Sequence, residues 1–269
     1  MSTRTAFEKA RAEGRAALVG YLPAGYPDVP GGVEALLTMV DAGCDVIEIG
    51  LPYSDPVMDG PTIQAAAQQA LERGVHTADV LRTVEAVAAT GTPTLVMTYW
   101  NPIERYGVER FAADLSNAGG AGLITPDLTP DFAPEWIAAA DARDLDKVFL
   151  VAPSSTDERI AMTVAACRGF VYATAVMGVT GARATTSDLA GPLVARTKRA
   201  TDLPVGVGIG VSNGDQAAEV AAKDGIGADG VIVGSAFVRA LLDHPDDRTA
   251  GLRALRALTE DLAAGVRRG

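Results

Sequence analysis

A glutamate stands in an otherwise apolar strand pattern, Cys44-Asp45-Val46-Ile47-Glu48-Ile49-Gly50-Leu51-Pro52. The loop after it carries more acids: Tyr53-Ser54-Asp55-Pro56-Val57-Met58-Asp59-Gly60-Pro61-Thr62. Burying a carboxylate among Val and Ile is costly unless it has partners or a function. Strand alternation puts Val46 and Glu48 on one face and Ile47 and Ile49 on the other. A Glu48 facing an enclosed site would favour its neutral form. Such a carboxyl can donate a proton near neutral pH and later take one back. Asp59, in a Gly/Pro-rich loop, is expected to be wetter, to stay ionised and to accept a hydrogen bond. The two acids are candidates for a divided acid/base task. The residues alone leave two alternatives open: a structural buried Glu48 with a turn-forming Asp59, or the carboxylate pair of a glycoside hydrolase.

Two Gly-rich strand ends near the C-terminus suggest a second partner for the chemistry, Gly206-Val207-Gly208-Ile209-Gly210-Val211-Ser212 and Val231-Ile232-Val233-Gly234-Ser235-Ala236. Glycines let backbone N–H groups approach an anion, and a helix starting just after Ser235 would aim its positive end there. A phosphate held at this point disfavours the glycosidase. The first segment is not a dinucleotide fingerprint, because it lacks the full G-x-G-x-x-G spacing and an early βαβ position. A third segment, Val171-Tyr172-Ala173-Thr174-Ala175-Val176-Met177-Gly178-Val179-Thr180-Gly181-Ala182-Arg183, runs from a strand into small residues and reads as a mobile lid. His76 and His244 lie far apart with no acid or Cys at motif spacing, so no metal site or Ser/His triad is expected.

These residues need a frame. Short β-rich runs recur at Ala17–Tyr21, Val46–Ile49, Thr94–Thr98, Gly122–Thr125, Val148–Val151, Phe170–Ala173, Pro204–Val207 and Val231–Val233. Helix-like segments lie between most of them, including Val33–Ala42, Ile63–Glu72, Val108–Ala118, Ala133–Ala142, Asp157–Cys167 and Gln216–Lys223. Alternating strands and helices indicate parallel βαβ units, and eight in about 250 residues match a (β/α)₈ TIM barrel. An open doubly wound sheet is the runner-up. Helices at about Thr5–Glu13, Phe237–Leu242 and Gly251–Val266 would be additions to the barrel, and residues 1–269 are expected to form one domain. Net charge is −11, from 34 acids and 23 bases, which disfavours broad binding to nucleic acid or anionic membranes. No apolar run reaches the roughly 18 residues of a membrane span, and residues 1–15 lack an apolar signal core, so a cytoplasmic protein is expected. Cys44 and Cys167 are expected to be buried free thiols.

Over residues 16–240 the chain resembles the tryptophan synthase α subunits. The resemblance rests on Glu48-Ile49-Gly50, Ser54-Asp55-Pro56, Asp59-Gly60-Pro61-Thr62-Ile63-Gln64, Met97-Thr98-Tyr99-Trp100-Asn101-Pro102, Pro126-Asp127-Leu128, Val151-Ala152-Pro153-Ser154-Ser155, Gly178-Val179-Thr180-Gly181, Gly208-Ile209-Gly210-Val211-Ser212 and Gly234-Ser235, in family order. It implies a lyase that splits indole-3-glycerol phosphate into indole and glyceraldehyde 3-phosphate. It implies no cofactor of the chain's own, pyridoxal phosphate belonging to a partner β subunit in an α2β2 heterotetramer. Carried over, Glu48 is the general acid/base and Asp59 binds the indole N–H. Tyr21, Tyr99, Ile124, Tyr172 and Ile209 contact substrate. Gly181, Gly208, Gly210, Gly234 and Ser235 cradle its phosphate, and Asp55 and Asn101 face the β subunit. Gly25-Tyr26-Pro27, Val176 and Met177 depart from the family pattern, where Gly-Asp-Pro, Arg and Ser are common. A stand-alone indole-releasing lyase and a non-catalytic activator of a β subunit are the alternatives.

Overall fold

The computed structural model describes residues 2–174, 186–222 and 224–269, with the backbone alone described at 186–188. Nine strands form one sheet: β1 (Ala17–Pro23), β2 (Val46–Gly50), β3 (Thr94–Met97), β4 (Gly122–Ile124), β5 (Asp146–Val148), β6 (Leu150–Val151), β7 (Val171–Thr174), β8 (Val205–Gly208) and β9 (Gly230–Val233). Every pairing is parallel, in the order β5-β4-β3-β2-β1-β9-β8-β7-β6. The ends of this order, β5 and β6, are separated in sequence by Phe149 alone, so the sheet returns on itself as a barrel. The first strand pairs with the last, Ala17 beside Gly230, which rules out the open sheet. The expected fifth strand, Val148–Val151, is thus interrupted. At Phe149 the chain changes neighbour from β4 to β7, and the Phe149 carbonyl accepts the Tyr172 N–H at 3.2 Å.

Helices cover the outside. Those expected at the sequence level are present with shifted ends, such as Val29–Ala42, Pro61–Glu72, Gly214–Ala221 and Ser235–Leu242. Thr77–Ala88, Trp100–Tyr106 and Thr186–Ala200 were not among the expected segments. The early start at Val29 has a local cause: the Asp28 side chain accepts the Gly31 N–H at 2.7 Å, and Pro30 suits the first turn.

Alternation along the strands sorts the apolar residues into two layers. Ala17, Val19, Val46, Leu95, Ile124, Val148, Phe170 and Ile232 fill the barrel interior. Leu18, Ile47, Ile49, Val96, Leu123, Val171, Val207 and Val233 face the helices. The helix Thr3–Ala12 closes the base: Phe7 stacks on Phe170 with ring centres 5.0 Å apart. The buried Asp146 carboxylate accepts the Thr3 N–H and hydroxyl, both at 2.7 Å, and the Ser2 hydroxyl at 2.9 Å. Both cysteines are free, but only Cys44 is buried. Cys167, just past the end of its helix, is half-buried, which corrects the expectation of two buried thiols.

Candidate active site

The barrel base is sealed, so the C-terminal ends of the strands are left for a substrate. Glu48 is the third residue of β2, with Tyr21 of β1 and Leu95 of β3 as its register neighbours. It shares the inward face of its strand with Val46. Glu48 is 1% exposed, and neither carboxylate oxygen has a hydrogen-bond partner among the described residues. A buried acid with no partner favours its neutral form, and burial pushes the Glu48 carboxyl up to about 8. Among the described residues, no arginine or backbone amide bonds to it as a structural buried acid would require.

Two tyrosines flank it. Tyr172, on β7, is raised by burial and by the neighbouring Glu48 charge. Tyr21 is raised well above the usual phenol range, first by burial and then by the charges of Asp59 and Glu48, with smaller effects from Tyr99 and Tyr172. Tyr21 therefore lies within electrostatic reach of both acids and both other tyrosines. Room for the rings comes from missing side chains. A Cβ at Gly50 would stand 2.2 Å from the Tyr21 hydroxyl, and one at Gly208 would stand 2.4 Å from the Tyr172 hydroxyl.

Asp59 is half-buried in the loop after β2, and burial raises its carboxyl above the usual aspartate range while a hydrogen bond from Tyr99 opposes the rise. It is wetter than Glu48, as expected, and more desolvated than a free loop acid. Tyr99, itself buried and pushed up to about 12 chiefly by burial, accepts the Met58 N–H at 2.9 Å. Its ring lies 5.2 Å from that of Tyr53 at the other end of the same loop. Tyr99 thus pins the Asp59 loop as well as bordering the site. Two further contacts went unassigned at the sequence level. Gln64 donates to the Asp59 carbonyl at 2.7 Å, and the Trp100 N–H donates to Asp127 at 2.9 Å, tying the loops after β3 and β4 together. Their only sequence signal was membership of the Asp59–Gln64 and Pro126–Leu128 motifs.

Ile124 is fully buried in the interior layer. Ile209, just past the end of β8, is half-buried and also borders a groove with Gln216, Val220 and Ile226. At the Gly-rich ends, Gly210 has φ +80° and open space where a side chain would stand. Gly234 caps the helix Ser235–Leu242 with no side-chain bond to its first N–H groups. Gly210, Ser212, Ser235 and Arg239 line one cavity of about 520 Å³, together with the acid Asp243 at its far side along the helix Ser235–Leu242. Gly208 also makes room for the Tyr172 hydroxyl, while Gly210 borders open space. Gly181, Val176, Met177 and the expected lid lie outside the described residues. Asp55 is exposed on the loop after β2, which also carries the exposed side chains of Val57 and Met58, and Asn101 is exposed in the first turn of the helix Trp100–Tyr106 after β3. His76 is an exposed helix cap and His244 is half-buried in a different region. Among the described residues no cluster of three or more His, Cys, Asp or Glu is arranged to hold a metal ion, and no helix is long and apolar enough to cross a membrane.

Comparison with known proteins gives the same picture over the whole chain. The family model described as tryptophan synthase alpha chain matches residues 7–267. The tryptophan synthase alpha chain of Acidothermus cellulolyticus is 63% identical over 263 residues, 98% of this chain and 96% of the relative. That of Mycobacterium intracellulare is 58% identical over 97% of this chain and 93% of the relative. Among solved structures, a chain of Mycobacterium tuberculosis tryptophan synthase superposes with a TM-score of 0.90 at 56% identity, covering 99% of this chain and 98% of that one. The Legionella pneumophila subunit alpha superposes at 0.88 with 32% identity, over 99% and 98% of the two chains. A closed parallel barrel, a buried glutamate on its inner face and near-complete similarity of this kind lead to one conclusion: the chain belongs to the tryptophan synthase alpha chain family.

Proposed function

We propose that this chain cleaves indole-3-glycerol phosphate to indole and glyceraldehyde 3-phosphate with Glu48 and Asp59 as its two working carboxyls. Family membership gives the reaction. The observation that carries the residue roles is Glu48 itself, buried, without a hydrogen-bond partner among the described residues and held protonated at neutral pH. The C–C bond to the glycerol chain breaks as a retro-aldol once indole C3 is protonated, because only then can the ring accept the electron pair. Glu48 gives that proton. Its carboxylate then takes the proton of the glycerol hydroxyl as that carbon becomes the aldehyde, which regenerates the acid. Asp59 accepts the indole N–H and steadies the positive charge that C3 protonation puts on the ring nitrogen. Tyr21, Tyr99, Ile124, Tyr172 and Ile209 border the indole, and the N–H groups around Gly208, Gly210, Gly234 and Ser235 hold the phosphate. Protein carboxyls perform every proton transfer in this scheme, so it calls on no cofactor bound to this chain.

The chain works as one barrel domain in the cytoplasm, beside a β subunit that carries the pyridoxal phosphate, in an α2β2 assembly. Exposed Asp55, Val57, Met58 and Asn101, all at the barrel mouth, support docking there. The purified chain, incubated with indole-3-glycerol phosphate, is expected to release indole and glyceraldehyde 3-phosphate in equal amounts, faster when a β subunit is added. No indole with or without the β subunit would refute the reaction. A fast chain indifferent to the β subunit would refute the coupling and favour a stand-alone lyase.

A further inference from the structure

We propose that Gln64 is a positioning residue for Asp59: its amide, fixed to the first turn of a well-anchored helix, holds the carbonyls of Asp59 and Pro56 and so sets where the Asp59 carboxylate points. This rests on the reading of Asp59 above.

Gln64 lies on the helix Pro61–Glu72, whose N-cap, Gly60, supplies no side-chain bond. The helix is anchored from below by buried Ile63, Ala66 and Ala67. Its start is also held by Arg239, which donates to the Thr62 hydroxyl at 3.3 Å. From this base the Gln64 Nε2 reaches back over the helix end to the Asp59 carbonyl at 2.7 Å and the Pro56 carbonyl at 3.4 Å. Those two residues already close a turn, the Asp59 N–H donating to the Pro56 carbonyl at 3.1 Å. On the other side of the loop, the Tyr99 hydroxyl accepts the Met58 N–H at 2.9 Å.

The loop is therefore held from two directions, by a tyrosine of the site and by a glutamine outside it. Once the Asp59 carbonyl is fixed, only its side-chain torsions remain to direct the carboxylate. Gln64 is exposed, so nothing about burial requires its donor to be satisfied. In water an exposed amide gains little from a partner. What the contact does supply is order, in a glycine- and proline-punctuated loop whose acid must meet one ring nitrogen. Effective catalysis needs that geometry to within a fraction of an ångström.

The test uses the full-length chain with indole-3-glycerol phosphate. Gln64→Met keeps length and removes the donor. Gln64→Glu keeps shape but sets a carboxylate against two carbonyls, so it should be the worse of the two and serves also if the Met variant folds poorly. The expected result is a kcat loss of about 10- to 100-fold with KM changed less than about threefold. Thermal melting should match the parent, since the residue is exposed. In an Asp59→Asn background, Gln64→Met should cost less than about threefold more, because the group it positions is already disabled. A kcat within about twofold of the parent in both variants would overturn the proposal, as would a loss confined to KM or an equal loss in the Asp59→Asn background. If Asp59→Asn alone is as active as the parent, the reading of Asp59 fails, and that result is distinct from a failure of Gln64.

Discussion

Glu48 separates this site from an ordinary barrel interior. Its raised pKa has two consequences, and both decline as pH rises. For turnover, the protonated form starts the cycle, so kcat should fall as pH rises through about 8. For stability, the folded chain binds this proton more tightly than the unfolded chain does. The contribution of Glu48 is most favourable below the unfolded glutamate value and is lost progressively as pH rises through about 8. Glu48→Gln should therefore remove at least about 10²-fold in kcat while making the chain more stable than the parent at pH 8–9, by on the order of 3 kcal/mol. Rate profiles and denaturant melts at pH 6 and pH 9 measure both. A variant that loses activity and stability together would mean that the carboxyl is structural. Asp59→Asn should act differently. The amide oxygen can still accept the indole N–H, but it carries no full charge for the cationic ring. Binding of a substrate analogue should weaken by less than about tenfold while kcat falls by more.

At the scale of elements, the site is made by glycines that let tyrosines in. Gly208 of β8 leaves the space that the Tyr172 hydroxyl of β7 occupies, and Gly50 of β2 does the same for Tyr21 of β1. Gly208→Ala should cost about 1–3 kcal/mol of stability through overpacking, with a fall in activity. In a Tyr172→Phe background, where the clashing oxygen is gone, the stability cost should shrink by at least about 0.5 kcal/mol. A thermal-melting double-mutant cycle reads that coupling, and simple additivity would show that ring and glycine do not compete for one space. The second Gly-rich end makes a different prediction. Gly234→Asp would put a negative side chain at the capped start of the helix Ser235–Leu242 and should raise KM strongly. Inorganic phosphate should protect the parent but not the variant against thermal unfolding.

The barrel divides into a base that holds it shut and a mouth that is open to chemistry. At the base the helix Thr3–Ala12 is pinned by Asp146, whose carboxylate is fully buried with Thr3 and Ser2 bound to it. Asp146→Ala leaves those donors without an acceptor and should lower stability by about 3 kcal/mol. Because the site lies at the opposite end of the strands, kcat at 20–25 °C should stay within about twofold of the parent. A large kcat loss in a chain that is still folded would show that base and mouth are coupled.

Periodicity and punctuation in the sequence determined the eight βα repeats, the additional terminal helices and the two faces of each strand. Alternating burial is a local property, and Pro and Gly end strands wherever they occur. Glu48 was visible because a carboxylate among Val and Ile violates that pattern, and the family motifs supplied the other candidate residues. Closure was not local. Both the open sheet and the barrel use buried parallel strands, and only the pairing of Ala17 with Gly230 decides between them. The break at Phe149 arises because one strand must serve two neighbours. The roles of Gly208 and Gly50 depend on which side chain from the next strand needs their space. The grip of Gln64 and Tyr99 on the Asp59 loop depends on contacts across a turn and between strands, and residue type does not encode them. Sequence fixes what each residue prefers to bury or bond. Tertiary structure decides which partner is within reach, because reach depends on how the whole barrel closes.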